Sequence, residues 1–253
     1  MKKIFSSFLL IIQFFTRIPV NMNLPCEMQD FKRGSVFLPI IGLIIGTIQW
    51  IVYKAFVNIL PVDVTVVLVI LVGVIVTGGF HIDGLGDTFD GFFAFKGNEK
   101  IIEIMKDSRI GTYACIATIM NFLFRYSLLT YIAPKMSIVI ILSPTISRFC
   151  TVFIAFIGNT AKSTGTGNFL ISNVGKKQLF ISLIMTLGVL SLIISWKYVV
   201  ILMISGVIFT FMFNLFCKSK IGGLTGDTLG ASNELNEILV LIIITAIVKN
   251  FVI

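Results

Sequence analysis

The chain has 253 residues, of which 57% are hydrophobic and 13% charged, whereas a soluble domain carries about 25% charged residues. That balance excludes an ordinary soluble globule and points to a membrane protein. A net charge of +8 would suit nucleic acid, but the basic residues are scattered and accompany no recognition motif, so no nucleic-acid partner is expected.

In chain order, Lys2 and Lys3 lead into an apolar stretch, residues 4–18, that looks like a signal peptide. It lacks a small-residue cleavage site and closes on Arg17 and Pro19, so it is kept as mature sequence. It is short for a crossing and is predicted as an interfacial or re-entrant helix. Seven apolar runs follow, at residues 36–57, 62–80, 111–133, 137–157, 179–195, 198–216 and 238–253. They are continuous rather than alternating, which argues against a β-barrel. The expected fold is all-α: a polytopic integral membrane bundle of about seven transmembrane helices, one domain over residues 1–253.

If the seven runs alternate in direction, fourteen Lys and Arg fall on one side and four on the other. The richer side includes Lys96, Lys106, Arg109 and Lys162 and is expected to be cytoplasmic, in a bacterial cell membrane. Cys26, Cys115, Cys150 and Cys217 show no paired spacing, so they predict packing residues or free thiols, not a zinc site or disulfides.

Eight of the twelve acidic residues gather in three glycine-marked clusters on that same side. Carboxylates near hydrocarbon cost about 2.5–3.5 kcal/mol each, and a divalent cation with oxygen ligands would neutralise them. The first cluster is His81-Ile82-Asp83-Gly84-Leu85-Gly86-Asp87-Thr88-Phe89-Asp90-Gly91. At about 100° per residue, Asp83, Asp87 and Asp90 share one narrow helical stripe, although Gly84 and Gly86 weaken a helix. The competing interpretation is a solvated loop with capping aspartates. The second cluster carries Glu103, Lys106, Asp107 and Arg109 before Gly111. Its mixed charges fit a solvated surface equally well, but an arginine at a membrane boundary suits a phosphate. The third runs Gly222-Gly223-Leu224-Thr225-Gly226-Asp227-Thr228, followed by Glu234 and Glu237. Glycine-rich turns can cradle phosphate, although a plain helix–helix turn with an Asp cap is the alternative. The lone histidine, His81, is either a hydrogen-bonded boundary residue or a catalyst. Arg125 and Arg148 lie within apolar runs and should face the bundle interior, paired with a carboxylate or touching a ligand phosphate. Residues 162–167 form a polar loop with a weak claim on an anionic substrate.

The candidate metal ligands are therefore Asp83, Asp87, Asp90, Asp227, Glu103, Asp107 and Glu234. The candidate substrate contacts are Lys106, Arg109, Gly226, Thr228 and Arg148, and the candidate catalytic residues are Asp90, Arg109 and His81. The inventory fits metal-assisted transfer of a phosphate-bearing group.

The His81–Gly91 segment, Lys106-Asp107-Ser108-Arg109-Ile110-Gly111 and Thr225-Gly226-Asp227-Thr228-Leu229-Gly230-Ala231 resemble three motifs of the cobalamin synthase family, the adenosylcobinamide-GDP ribazoletransferases. Gln13-Phe14-Phe15-Thr16-Arg17-Ile18-Pro19 is similar to that family's opening. The polar loop at residues 162–167 departs from the pattern. The resemblance implies a Mg²⁺-dependent membrane enzyme. Its substrates would be adenosylcobinamide-GDP and α-ribazole or α-ribazole 5′-phosphate, and GMP would leave. Its other partner is the lipid bilayer, and association with further copies of the chain stays open. Two rivals remain. An ion-coupled transporter would carry its carboxylates nearer mid-span. A CDP-alcohol phosphotransferase would show D-G-x-x-A-R, but Leu85-Gly86-Asp87-Thr88 follows Asp83-Gly84 here.

Overall fold

The computed structural model describes residues 2–94, 97–162 and 164–250. Lys96 and Ser163, and the last three residues of the predicted final run, lie outside these. Eleven α-helices make up the described chain: α1 Lys2–Phe15, α2 Met28–Gly34, α3 Leu38–Phe56, α4 Val62–Thr77, α5 Phe80–Phe93, α6 Asn98–Ile104, α7 Thr112–Ile132, α8 Val139–Ile157, α9 Lys176–Ser191, α10 Trp196–Ile221 and α11 Gly226–Asn250. The described residues contain no strand, only an isolated bridge between Thr160 and Leu224.

The helices organise around α8, which is buried along most of its length. Apolar residues all around a helix mark it as a core element. Helices α3, α9, α10 and α11 pack on it. The α3 crossing is close because Gly42 and Gly46 present no side chain; a Cβ on Gly46 would lie 2.7 Å from Ile141 Cα. Pro144 interrupts the backbone ladder of α8, since proline has no N–H to donate.

Among the described residues, five helices are long and apolar enough to cross a membrane, and the bent pair α4–α5 makes up to six. The protein is thus a polytopic helical membrane bundle. The expected seven included α9, which with 16 residues falls below that length on its own. The N-terminal α1 has 14 residues and packs on α2 and the start of α3.

Two boundaries differ from those predicted. The run expected at residues 62–80 stops at Thr77, where Gly78 and Gly79 take left-handed φ values of 66° and 70°. This conformation costs an L-residue about 1–2 kcal/mol. The paired glycines turn the chain by 89°, so α5 leaves the direction of α4 and packs on α11 and α7. The last helix begins at Gly226, twelve residues before the predicted Ile238. The third acidic cluster therefore lies inside a helix, and Glu234 and Glu237 point into the bundle.

Candidate active site

The acidic stripe of α5 is real, and it meets α11 at a crossing made by glycines. A Cβ on Gly84 would lie 2.8 Å from the Asp227 carbonyl oxygen, and one on Gly230 would lie 3.2 Å from His81 Cα. Two helices with bare backbone at the contact can approach this closely. Asp83 and Asp87 are thereby set beside Asp227. Burial, then the charges of Asp83, Asp227 and Asp90, pushes the Asp87 carboxyl up from 3.8 to about 7, with Lys162 opposing. Crowded carboxylates of this kind hold excess negative charge unless a cation offsets it.

Asp90 has another task. Its carboxylate accepts hydrogen bonds from the backbone N–H of Gly111 at 2.6 Å and of Ala114 at 2.9 Å. These are first-turn donors of α7, which otherwise lack partners. Asp90 therefore also serves as a cap that ties α5 to α7.

Beside Asp83 and Asp87 opens a cleft of about 690 Å³, also lined by Arg17, Lys106, Asp107 and Arg109. Arg109 donates to Asp107 through Nε and a terminal nitrogen, the shortest contact being 2.6 Å. Those hydrogen bonds hold the Asp107 carboxyl down at about 2. The Arg109 side chain is 88% exposed, so the pair sits at the mouth of the cleft. Glu103 is turned to Lys100 in an exposed ion pair at 2.8 Å and does not join the other expected ligands.

At the start of α11, Thr225 and Thr228 form a reciprocal cap. Thr228 N–H donates to Thr225 Oγ1 at 3.3 Å, and Thr225 N–H donates to Thr228 Oγ1 at 2.9 Å. Thr228 is fully buried, so its expected substrate contact is replaced by this fold-keeping role. Gly226 remains partly accessible; a Cβ on Gly167 of the neighbouring loop would lie 2.6 Å from its Cα.

Behind the crossing lies a buried polar network. Arg125 donates to Glu234 at 2.8 Å and to Glu237 at 2.7 Å, and Arg148 pairs with the other oxygen of Glu237. Asn121 donates to Glu234 at 2.9 Å, and Ser147 to Glu237 at 3.3 Å. Two cations thus balance two anions out of water. Removing one partner from such a group costs about 3–5 kcal/mol. Glu234 is therefore corrected from metal ligand to ion-pair partner, and Arg148, 2% exposed, from substrate contact to the same. His81 is 4% exposed and faces this network, away from the cleft. The transporter alternative loses its support, because the mid-bundle carboxylates are already neutralised.

Two residues gain importance. Arg17 lies across the Gly78 turn, its backbone N–H donating to Val76 O at 2.7 Å, and it lines the cleft. Its place in the similar N-terminal motif was the only signal. Lys162 lies near Asp87 and Asp227, and its charge opposes the upward shift of the Asp87 carboxyl. Among the described residues, no three His, Cys, Asp or Glu side chains converge tightly enough to hold one ion. The donor chemistry still fits a hard divalent cation: clustered carboxylate oxygens with excess negative charge.

A bundle of membrane-crossing helices with a half-buried acidic cluster beside a cleft bearing Arg17, Lys106 and Arg109 defines a multi-pass membrane protein. The chain belongs to the cobalamin-5-phosphate synthase family, whose model matches residues 7–245. It is 51% identical to an adenosylcobinamide-GDP ribazoletransferase of Clostridium kluyveri, over 98% of this chain and 99% of the relative. A protein of the same name from Clostridium tetani is 50% identical, over 98% of each chain. One from Clostridium botulinum is 47% identical, over 98% of this chain and all of the relative. No solved structure matches the chain. The family resemblance carried by the three motifs is borne out.

Proposed function

We propose that this chain closes the nucleotide loop of cobalamin by joining adenosylcobinamide-GDP to α-ribazole or α-ribazole 5′-phosphate, with release of GMP. The work would be done at the cytoplasmic face of a bacterial membrane, a placement supported by the fourteen-to-four basic asymmetry. The observation that carries the chemistry is the acidic crossing of Asp83, Asp87 and Asp227 beside a cleft bearing Arg17, Lys106 and Arg109.

In this mechanism Arg17, Lys106 and Arg109 take the pyrophosphate oxygens, with Arg109 offering the planar fork of donors that such oxygens accept. The ribazole hydroxyl oxygen attacks the phosphorus attached to cobinamide. The bond from that phosphorus to the bridging oxygen breaks, and GMP leaves with the electron pair. The hydroxyl proton passes to the carboxylate cluster. Asp83, Asp87 and Asp227 would hold Mg²⁺, which supplies positive charge against the phosphate oxygens. Lys162, near the same carboxylates, adds a fixed positive charge.

The test is direct. The purified protein in nanodiscs is incubated with adenosylcobinamide-GDP, α-ribazole 5′-phosphate and Mg²⁺, and GMP is followed by chromatography. GMP should appear with one corrinoid phosphate product per turnover and stop when EDTA is added. Absence of GMP above a protein-free control refutes the assignment, and undiminished release in EDTA removes the metal from it.

A further inference from the structure

His81 stands at the head of the acid-bearing helix, yet its surroundings belong to the fold. Its Nδ1 faces Asn233 Nδ2 of α11 at 3.3 Å and an Arg148 terminal nitrogen of α8 at 3.5 Å. A guanidinium has donors only. The Asn233 amide nitrogen also donates to Glu234 at 3.4 Å and Glu237 at 3.2 Å. Carboxylates accept only, so that nitrogen is correctly oriented as the NH₂ group. Both groups facing Nδ1 are donors, which makes Nδ1 an acceptor and leaves the ring proton on Nε2. The flanking aromatic rings of Phe15 and Phe80 hold the ring plane.

The contact also has a consistent register. Helices α5 and α11 run past each other with His81 against Gly230 and Asn233, and Gly84 against Asp227. One step along a helix moves a side chain about 1.5 Å and turns it about 100°. A slip of one residue would therefore swing Asp83 and Asp87 away from Asp227. Within the described residues, His81 is the side chain of α5 that reaches the buried Arg125, Arg148, Glu234 and Glu237 network through hydrogen bonds.

We propose that His81 is a positioning residue: its unprotonated Nδ1 accepts from Asn233 and Arg148 and so fixes the register of the acid-bearing helix on α11. The role rests on the proposed function for its effect on turnover, but not for its chemistry, and the two are tested separately. His81 is the only histidine, so isotope-labelled histidine gives a single pair of ring nitrogens in an NMR spectrum. At neutral pH the spectrum should show Nδ1 bare and Nε2 protonated. A proton on Nδ1, or on both nitrogens, overturns the proposal whether or not the protein transfers anything.

The second arm compares variants in the GMP-release assay. His81→Asn keeps an acceptor near the place of Nδ1, whereas His81→Leu fills the space without one. His81→Leu should lower kcat about tenfold or more, the scale of losing a hydrogen bond from a charged donor, with little change in KM. His81→Asn should recover most of that loss. Equal loss in both variants indicates chemistry at the ring itself, and equal retention indicates simple space-filling; either result overturns the proposal. Should the wild type release no GMP, the functional assignment fails while the NMR outcome still decides the role of His81.

Discussion

Gly84→Ala adds a single methyl group at the crossing of α5 and α11. Its Cβ would stand 2.8 Å from the Asp227 carbonyl oxygen, 3.0 Å from Asp227 Cα and 3.3 Å from its carbonyl carbon. These are backbone atoms and cannot rotate aside. Restoring an ordinary 3.4 Å contact from 2.8 Å requires the helices to part by about 0.6 Å. Overpacking of this kind costs about 1–3 kcal/mol, against a helix-propensity gain of about 1 kcal/mol for alanine over glycine. The net effect is a loss of up to about 2 kcal/mol. Turnover should fall further than stability alone dictates, because displacing a reacting group by 1 Å costs about a hundredfold. Scaled to this displacement, the fall is roughly tenfold. Gly188→Ala in α9 is the control, since a Cβ there meets nothing within 4 Å. The assay pairs thermal unfolding in detergent with GMP release. If Gly84→Ala melts and turns over like Gly188→Ala, the close crossing does not set the acidic cluster.

Asp87 should leave a pH signature in EDTA. Its folded pKa of about 7 lies above the ordinary 3.8, so the folded state holds the proton more tightly and stability falls as pH rises between those values. Unfolding temperatures of Asp87→Asn should show a shallower decline across that window; an identical slope contradicts the crowded carboxylate. Arg17→Ala should raise KM for adenosylcobinamide-GDP several-fold while the melting temperature holds, and an unchanged KM removes Arg17 from the cleft's work. Glu237→Gln leaves two buried guanidinium groups short of charge and should cost about 3–5 kcal/mol in denaturant unfolding; a change under about 1 kcal/mol argues against a dry network. For topology, a cysteine at Ser108 in a chain lacking exposed Cys26 and Cys115 should resist an impermeant reagent outside intact cells, while one at exposed Ser195 should react. The reverse pattern inverts the orientation.

Much of the bundle was legible because lipid demands long unbroken apolar runs. The stripe of Asp83 and Asp87 was legible from helical period alone. What stayed hidden depends on partners far away in the chain. Asp90 caps a helix whose first donors lie 21 and 24 residues on. Glu234 is matched by Arg125 at a separation of 109 residues, and Glu237 by Arg148 at 89. A carboxylate in sequence shows its charge but not which cation neutralises it. Glycines misled for a related reason. Gly84 and Gly86 weakened the expectation of a helix, yet α5 runs through both. At Gly84 the missing side chain is needed for contact between helices, which outweighs its poor helix propensity.

The Gly78–Gly79 turn carries a mechanical consequence. Glycine offers the backbone the least torsional resistance of any residue, so chain continuity does little to fix the angle of α5. The acid-bearing helix is a lever on a loose pivot, clamped along its arm by the Gly84–Asp227 contact and near its far end by the grip of Asp90 on α7. Loosening either clamp should let the lever swing before any membrane-crossing helix melts. Amide exchange would register this as early exposure confined to residues 80–93, with α8 still protected.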